Sequence, residues 1–150
     1  MSTNRRAFLT ATASLFAVTL LPRPFAWAAL DDEVAAAIRA VVGDREVLDG
    51  GIELDLPAVA QNGASVPITV FVESPMTTDD HVRAIRVFAT QNPSPGVADF
   101  RLTPANGRAE VSTRIRLADH QEVIVLAELS DGRIFRTSAE VEVTVGGCAT

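Results

Sequence analysis

The chain has 150 residues, 47% of them hydrophobic, enough apolar material for one core and one ordinary domain. Its thirteen basic residues, all arginine, face nineteen acidic ones, and the formal charge at pH 7 is −6. So acidic a surface repels phosphate backbones and argues against a nucleic-acid partner.

The N-terminal stretch reads as an address. Arg5-Arg6 stands just before an apolar run from Ala7 to Leu21 that Thr and Ser interrupt. Twin arginines before a weakly hydrophobic core have the pattern of a twin-arginine export signal. Ala26-Trp27-Ala28 offers small residues to a signal peptidase, so residues 1–28 are expected to be the signal, cleaved after Ala28. The competing reading, a membrane anchor, suits the run poorly, because it is too short and too polar to span a bilayer comfortably. Loss of the signal leaves ten arginines against nineteen acids, a formal charge of −9. The expected product is a soluble periplasmic protein with no membrane contact.

Asp31-Asp32-Glu33 opens a helical pattern, with Val34, Ile38, Val41 and Val42 on one face and Gly43 at its end. Acidic residues in the first turn complement the positive end of the helix dipole. After Gly50-Gly51 the period drops to two. Ile52, Leu54 and Leu56 predict a short strand before Pro57. Val66, Ile68, Val70 and Val72 predict a second, and Ile85, Val87 and Ala89 a third. A proline-rich loop, 91–96, precedes a strand holding Phe100 and Leu102. Val111, Thr113, Ile115 and Leu117 face opposite Ser112, Arg114 and Arg116 in the next. Val123, Val125, Ala127 and Leu129 then lead to Asp131-Gly132, a two-residue hairpin signal. Val141, Val143 and Val145 alternate with polar residues in the last strand. About seven short strands with turns between them predict an all-β, immunoglobulin-like antiparallel β-sandwich with a short N-terminal helix over 29–145.

Residues 146–150 are expected to form a flexible C-terminal tail. Gly146 and Gly147 restrict the backbone little, so Cys148 can reach about 10 Å beyond the sheet. It is the one cysteine of the chain, so no internal disulfide can form. A lone cysteine in an exported protein points to an intermolecular bond or a reactive thiol. An ordinary thiol is only a few per cent thiolate at neutral pH. Cys148 is therefore better suited to carrying a group that other proteins attach than to acting as a nucleophile unaided. The alternatives are a frayed end that happens to hold a cysteine, or a thiol-redox protein, which would want a second, resolving thiol.

Elsewhere the chemistry is thin. Asp79-Asp80-His81 cannot converge on one metal ion without a tight turn, and it reads as a solvated loop or cap. His120 beside Gln121 reads as a surface turn. No G-x-S-x-G elbow and no phosphate-binding glycine loop is present. The residues support neither a catalytic centre, nor a metal site, nor a cofactor.

Taken together, the twin-arginine signal, the small β-sandwich and the terminal Gly146-Gly147-Cys148 resemble the SoxY family, the cysteine-bearing subunit of a sulfur carrier in thiosulfate oxidation. The resemblance runs through residues 56–63 with Val66-Pro67, and through 74–77 with Asp80-His81-Val82 and Ala84-Ile85. It continues through Asn92-Pro93, Pro95 and 97–100, then 111–118 and 130–132. It implies a non-enzymatic carrier holding sulfur intermediates on Cys148, with Gly146 and Gly147 as the flexible arm and no metal or cofactor of its own. It implies a heterodimer with a SoxZ-like subunit. It also implies visits to a thiosulfate-oxidising cytochrome, a sulfate-releasing hydrolase and a sulfane dehydrogenase. The family typically ends Gly-Gly-Cys-Gly-Gly, whereas Ala149 and Thr150 follow the cysteine here. The alternatives to this carrier are a non-catalytic β-sandwich adaptor, or a divergent carrier for a related sulfur compound.

Overall fold

The computed structural model describes residues 31–147. The proposed signal, residues 1–28, lies outside them. The helical pattern becomes α1, Asp32–Val42, which ends where Gly43 turns to φ 58° and donates its N–H to Arg39 O. Val34, Ala35, Ile38 and Val42 are its buried face. No helix of the described residues is long and apolar enough to cross a membrane.

Nine strands follow among the described residues: β1 (Val47–Asp49), β2 (Ile52–Asp55), β3 (Val59–Ala60), β4 (Val66–Val72), β5 (Val82–Ala89), β6 (Gly96–Arg101), β7 (Ala109–Ile115), β8 (Gln121–Leu129) and β9 (Ile134–Val143). One sheet has the order β1-β9-β8-β5-β6, with β3 also paired to β9. The other has the order β2-β4-β7. The sandwich expected from the sequence is therefore present. It differs in having two extra strands and in being mixed, because β1 and β3 both run parallel to β9. β1 and β3 are three and two residues long, too short for an alternating pattern to reveal them. They exist because the chain shuttles between the sheets. β1 lies on β9, Gly50 and Gly51 at φ 94° and 72° carry the chain across to β2, and β3 brings it back to the far end of β9. Positive φ at two successive residues favours glycine in this crossing.

The hairpin signal also needs a correction. β8 ends at Leu129 and β9 begins at Ile134, so the connection is four residues, with Leu129 N–H donating to Arg133 O at 3.0 Å. Only Gly132 has positive φ; Asp131 instead accepts from the Arg133 N–H at 2.9 Å.

The two sheets enclose one core. Val66, Ile68, Val70 and Val72 of β4 meet Ile85, Val87 and Ala89 of β5, Val123, Val125 and Ala127 of β8, and Val141 of β9. A second cluster lies on the outer face of the larger sheet, where Val34, Ile38 and Val42 of α1 cover Phe88, Ile124, Leu126 and Ile134. This explains the unbroken apolar run 123–127: β8 is buried on both faces, so its pattern does not alternate.

Candidate functional site

β9 carries the chain toward its C-terminal end and delivers it to the segment after β3. Thr144 N–H donates to Ala60 O at 2.9 Å, and Gly63 N–H donates to Val145 O at 2.7 Å. The pairing begun by β3 thus continues beyond the last residue of β9. Gly147 N–H then donates to Leu117 O at 2.9 Å, and Leu117 N–H donates to Gly63 O at 2.8 Å. The backbone at Gly63, at Leu117 and at 145–147 is joined into one connected set of hydrogen bonds.

Proximity explains the glycines here. Gly63, Gly146 and Gly147 are not among the residues with positive φ. A Cβ on Gly63 would strike Leu117 O, one on Gly146 would strike Ala118 O, and one on Gly147 would strike the Gly63–Ala64 peptide, each closer than the 3.0 Å that real Cβ atoms respect. Backbone meets backbone at all three positions.

The turn that receives Gly147 is itself anchored. The Asn92 amide donates to Arg116 O at 2.8 Å, and its Oδ1 accepts from Ala118 N–H at 2.9 Å. The same Oδ1 accepts from Gln121 Nε2 at 3.0 Å. Gln121 is 3% exposed; its Nε2 also donates to Asp119 O and its Oε1 accepts from Gln91 N–H, both at 2.9 Å. Two buried or half-buried amides therefore set the geometry of residues 116–119, and Leu117 plants its side chain in the core. Nearby, Arg114 Nη1 donates to both Ser65 O and Ser65 Oγ at 3.3 Å. Val59 and Val145, 54% and 60% exposed, are the exposed large hydrophobic residues among those described, and both lie at this end of the sandwich.

Of the residues singled out by sequence, Gly146 is exposed and Gly147 half-buried against this turn. Cys148 lies outside the described residues, one peptide bond beyond Gly147. Asp79, Asp80 and His81 are held in a turn: Asp80 N–H donates to Thr77 Oγ1, Ser130 Oγ donates to Asp79 O, and His81 N–H donates to Ser130 Oγ. His120 sits exposed just before β8. Among the described residues, no three His, Cys, Asp or Glu side chains are grouped to hold a metal ion. Sequence reasoning passed over Gly63, Asn92 and Gln121. A glutamine opening a strand with an otherwise apolar run was the available signal for the last.

The chain from Ile38 to Cys148 matches the family model described as sulfur oxidation protein SoxY. The chain belongs to the SoxY family. Its fold matches the sulfur carrier protein SoxY from Chlorobium limicola f thiosulfatophilum, at 32% identity and a TM-score of 0.62, over 75% of this chain and 97% of that one. Superoxide reductases share the fold at lower identity. The neelaredoxin of Ignicoccus hospitalis is 12% identical, with a TM-score of 0.56 over 63% of this chain and 80% of its own. A superoxide reductase-like protein of Thermotoga maritima is 21% identical, with a TM-score of 0.52 over 67% and 87%. These two likenesses bear on the fold alone. No curated protein matches the chain. For a SoxY-family chain, the family match extends through the Gly146-Gly147-Cys148 segment as well as the sandwich.

Proposed function

We propose that this chain is a periplasmic sulfur carrier, exported by the twin-arginine route, that holds thiosulfate-derived intermediates covalently on Cys148. The observation that carries the reading is the family match, which runs through Cys148 itself. The sandwich supports it by presenting the residue before that cysteine at one end of the domain, beyond the last strand.

The chemistry follows from a thiol at the end of an arm. The Cys148 thiolate and the outer sulfur of thiosulfate join in a disulfide bond when an oxidising cytochrome takes two electrons, giving a cysteine S-thiosulfonate. Water supplied by a hydrolase then cleaves the bond to the terminal sulfonate. Sulfate leaves, and a persulfide stays on Cys148. A sulfane dehydrogenase oxidises that outer sulfur to a sulfonate, with oxygen from water, and a second hydrolysis restores the thiol. Each partner supplies the oxidant or the water-activating group, and the carrier supplies the attachment atom. Gly146 and Gly147 have no side chains to block a narrow channel, so they suit an arm that enters one. A SoxZ-like subunit completes the carrier as a heterodimer.

The test is mass spectrometry of the purified carrier after incubation with thiosulfate and an oxidising cytochrome of this pathway. The expected gain is one thiosulfate-derived group on the C-terminal peptide. An adduct that persists in Cys148→Ser would overturn the proposal.

A further inference from the structure

The arm of a carrier needs two properties that conflict. It must be free when a partner enzyme takes the cargo, and its position must be defined when no partner is present. The contacts of residues 144–147 bear on that conflict. From the Gly63, Leu117 and Gly147 hydrogen bonds, together with the glycine contacts that no side chain could enter, we infer that Gly63 and the Leu117–Ala118 turn form a cradle that seats the root of the arm. The arm therefore has two points of departure, Gly147 while its root is seated and the end of β9 once the root is released.

Four observations support this inference. Gly63 N–H donates to Val145 O and Gly147 N–H donates to Leu117 O, so the root is bonded on both sides. The two sides of the cradle are also bonded to each other, because Leu117 N–H donates to Gly63 O, a bond that involves no atom of residues 144–147. Asn92 and Gln121 hold the turn from beneath through Arg116 O, Ala118 N–H and Asp119 O. Finally, Gly63 is a glycine at a position whose φ does not require one, and its missing side chain is what admits both Leu117 O and Gly147.

The seat is also weak enough to open. It rests on a few backbone hydrogen bonds, each worth about 1 kcal/mol net, and on no large apolar contact of the arm, since Val145 is 60% exposed. Releasing four residues lengthens the reach by about 13 Å, at roughly 3.3 Å per extended residue. A partner that offers its own acceptors to the arm can therefore draw out the extra length. Asn92 and Gln121 are positioning residues in this arrangement: they touch the turn and not the cargo. The purpose assigned to the arm rests on the carrier reading, but the seat itself does not.

Amide hydrogen exchange on the cargo-free protein tests the seat apart from the carrier function. In the wild-type chain, the Gly63 and Gly147 amides are expected to exchange at least ten-fold more slowly than in an unstructured peptide. Gly147→Ala, placed beyond the last strand where it does not endanger folding, should abolish that protection at Gly63. It should leave Leu117 and the β8 amides unchanged. Gly63→Ala should remove the protection at Gly147, with Leu117 displaced by the new Cβ, and should also raise the mobility of a nitroxide attached to Cys148; if that variant fails to fold, Gly147→Ala decides alone. Coil-like exchange at Gly147 in the wild type, or full protection of Gly63 in Gly147→Ala, would overturn the seat. Neither result would touch the adduct test of the carrier function.

Discussion

Glu128 on β8 accepts from Arg86 Nη1 at 3.1 Å and from Arg45 Nη1 at 2.8 Å. Arg86 reaches on to Asp99 at 3.2 Å, and Arg45 also donates to Val42 O at the end of α1. One carboxylate thus fastens the end of the helix to the sheet. Burial pushes the Glu128 carboxyl up, but the hydrogen bonds from Arg86 and Arg45 outweigh it and hold the group below its ordinary 4.5. A pKa lowered by folding means that the native state favours the ionised form. The contribution is complete above the unfolded value and is lost as pH falls through the folded one. Glu128→Gln is therefore expected to cost about 1–3 kcal/mol at pH 7. In urea titrations across pH, the gap between variant and wild type should narrow as pH falls below the ordinary carboxylate range and close once the carboxylate of the wild type is itself protonated. A gap that stays constant into acid would assign the loss to packing instead. At the same scale, Gln121 shows that one buried amide with three partners can shape a turn that has no regular structure of its own.

The helix α1 is the element most clearly legible in the chain, because its acidic start, apolar face and terminal glycine agree with one another. Eleven residues are marginal as an isolated helix, so its stability comes from the face it buries. Ile38, fully buried, is the centre of that face against Phe88, Ile124, Leu126 and Ile134. Ile38→Ala is expected to cost about 2–5 kcal/mol, the range for emptying a packed aliphatic site. Chemical denaturation measures it, and a loss below 1 kcal/mol would mean that the helix is dispensable to the sandwich. The strands were legible in proportion to length and one-sidedness. β4 alternates strictly between buried and exposed or half-buried positions, and its limits agree with its pattern. β8 was recognised, but its outward Ile124 and Leu126 were not, because a strand covered on both faces loses the period that identifies it. β9 extends back to Ile134, through the polar stretch Arg136–Ser138, well ahead of the alternating valines that marked this strand in the sequence. Arg136 is 6% exposed there, close to Asp49 and Glu122.

For the molecule as a whole, stability resides in the domain, and the carrier reading places function on the arm. The core and the α1 cluster lie within the sandwich and helix, and among the described residues the root of the arm is held by backbone bonds. Truncation after Val145 is therefore expected to shift the unfolding free energy by less than about 1 kcal/mol, the value of a single exposed hydrogen bond. The same truncation should abolish loading of sulfur while leaving binding to a SoxZ-like subunit intact. Thermal unfolding and a pull-down of the truncated chain check stability and binding, and full function retained without Cys148 would favour an adaptor whose cysteine is incidental. By itself the sequence determined the helix, the longer strands, the sandwich and the family, since these depend on local periodicity and on motifs that stay in order along the chain. Only the tertiary structure decided the parallel pairing of β1 and β3 with β9, and the seat at Gly63. Both arise where segments far apart in sequence bring backbone against backbone, and a backbone contact leaves no side-chain pattern to read. The one mark it leaves is a glycine, and Gly63 stands where only the fold explains the missing side chain.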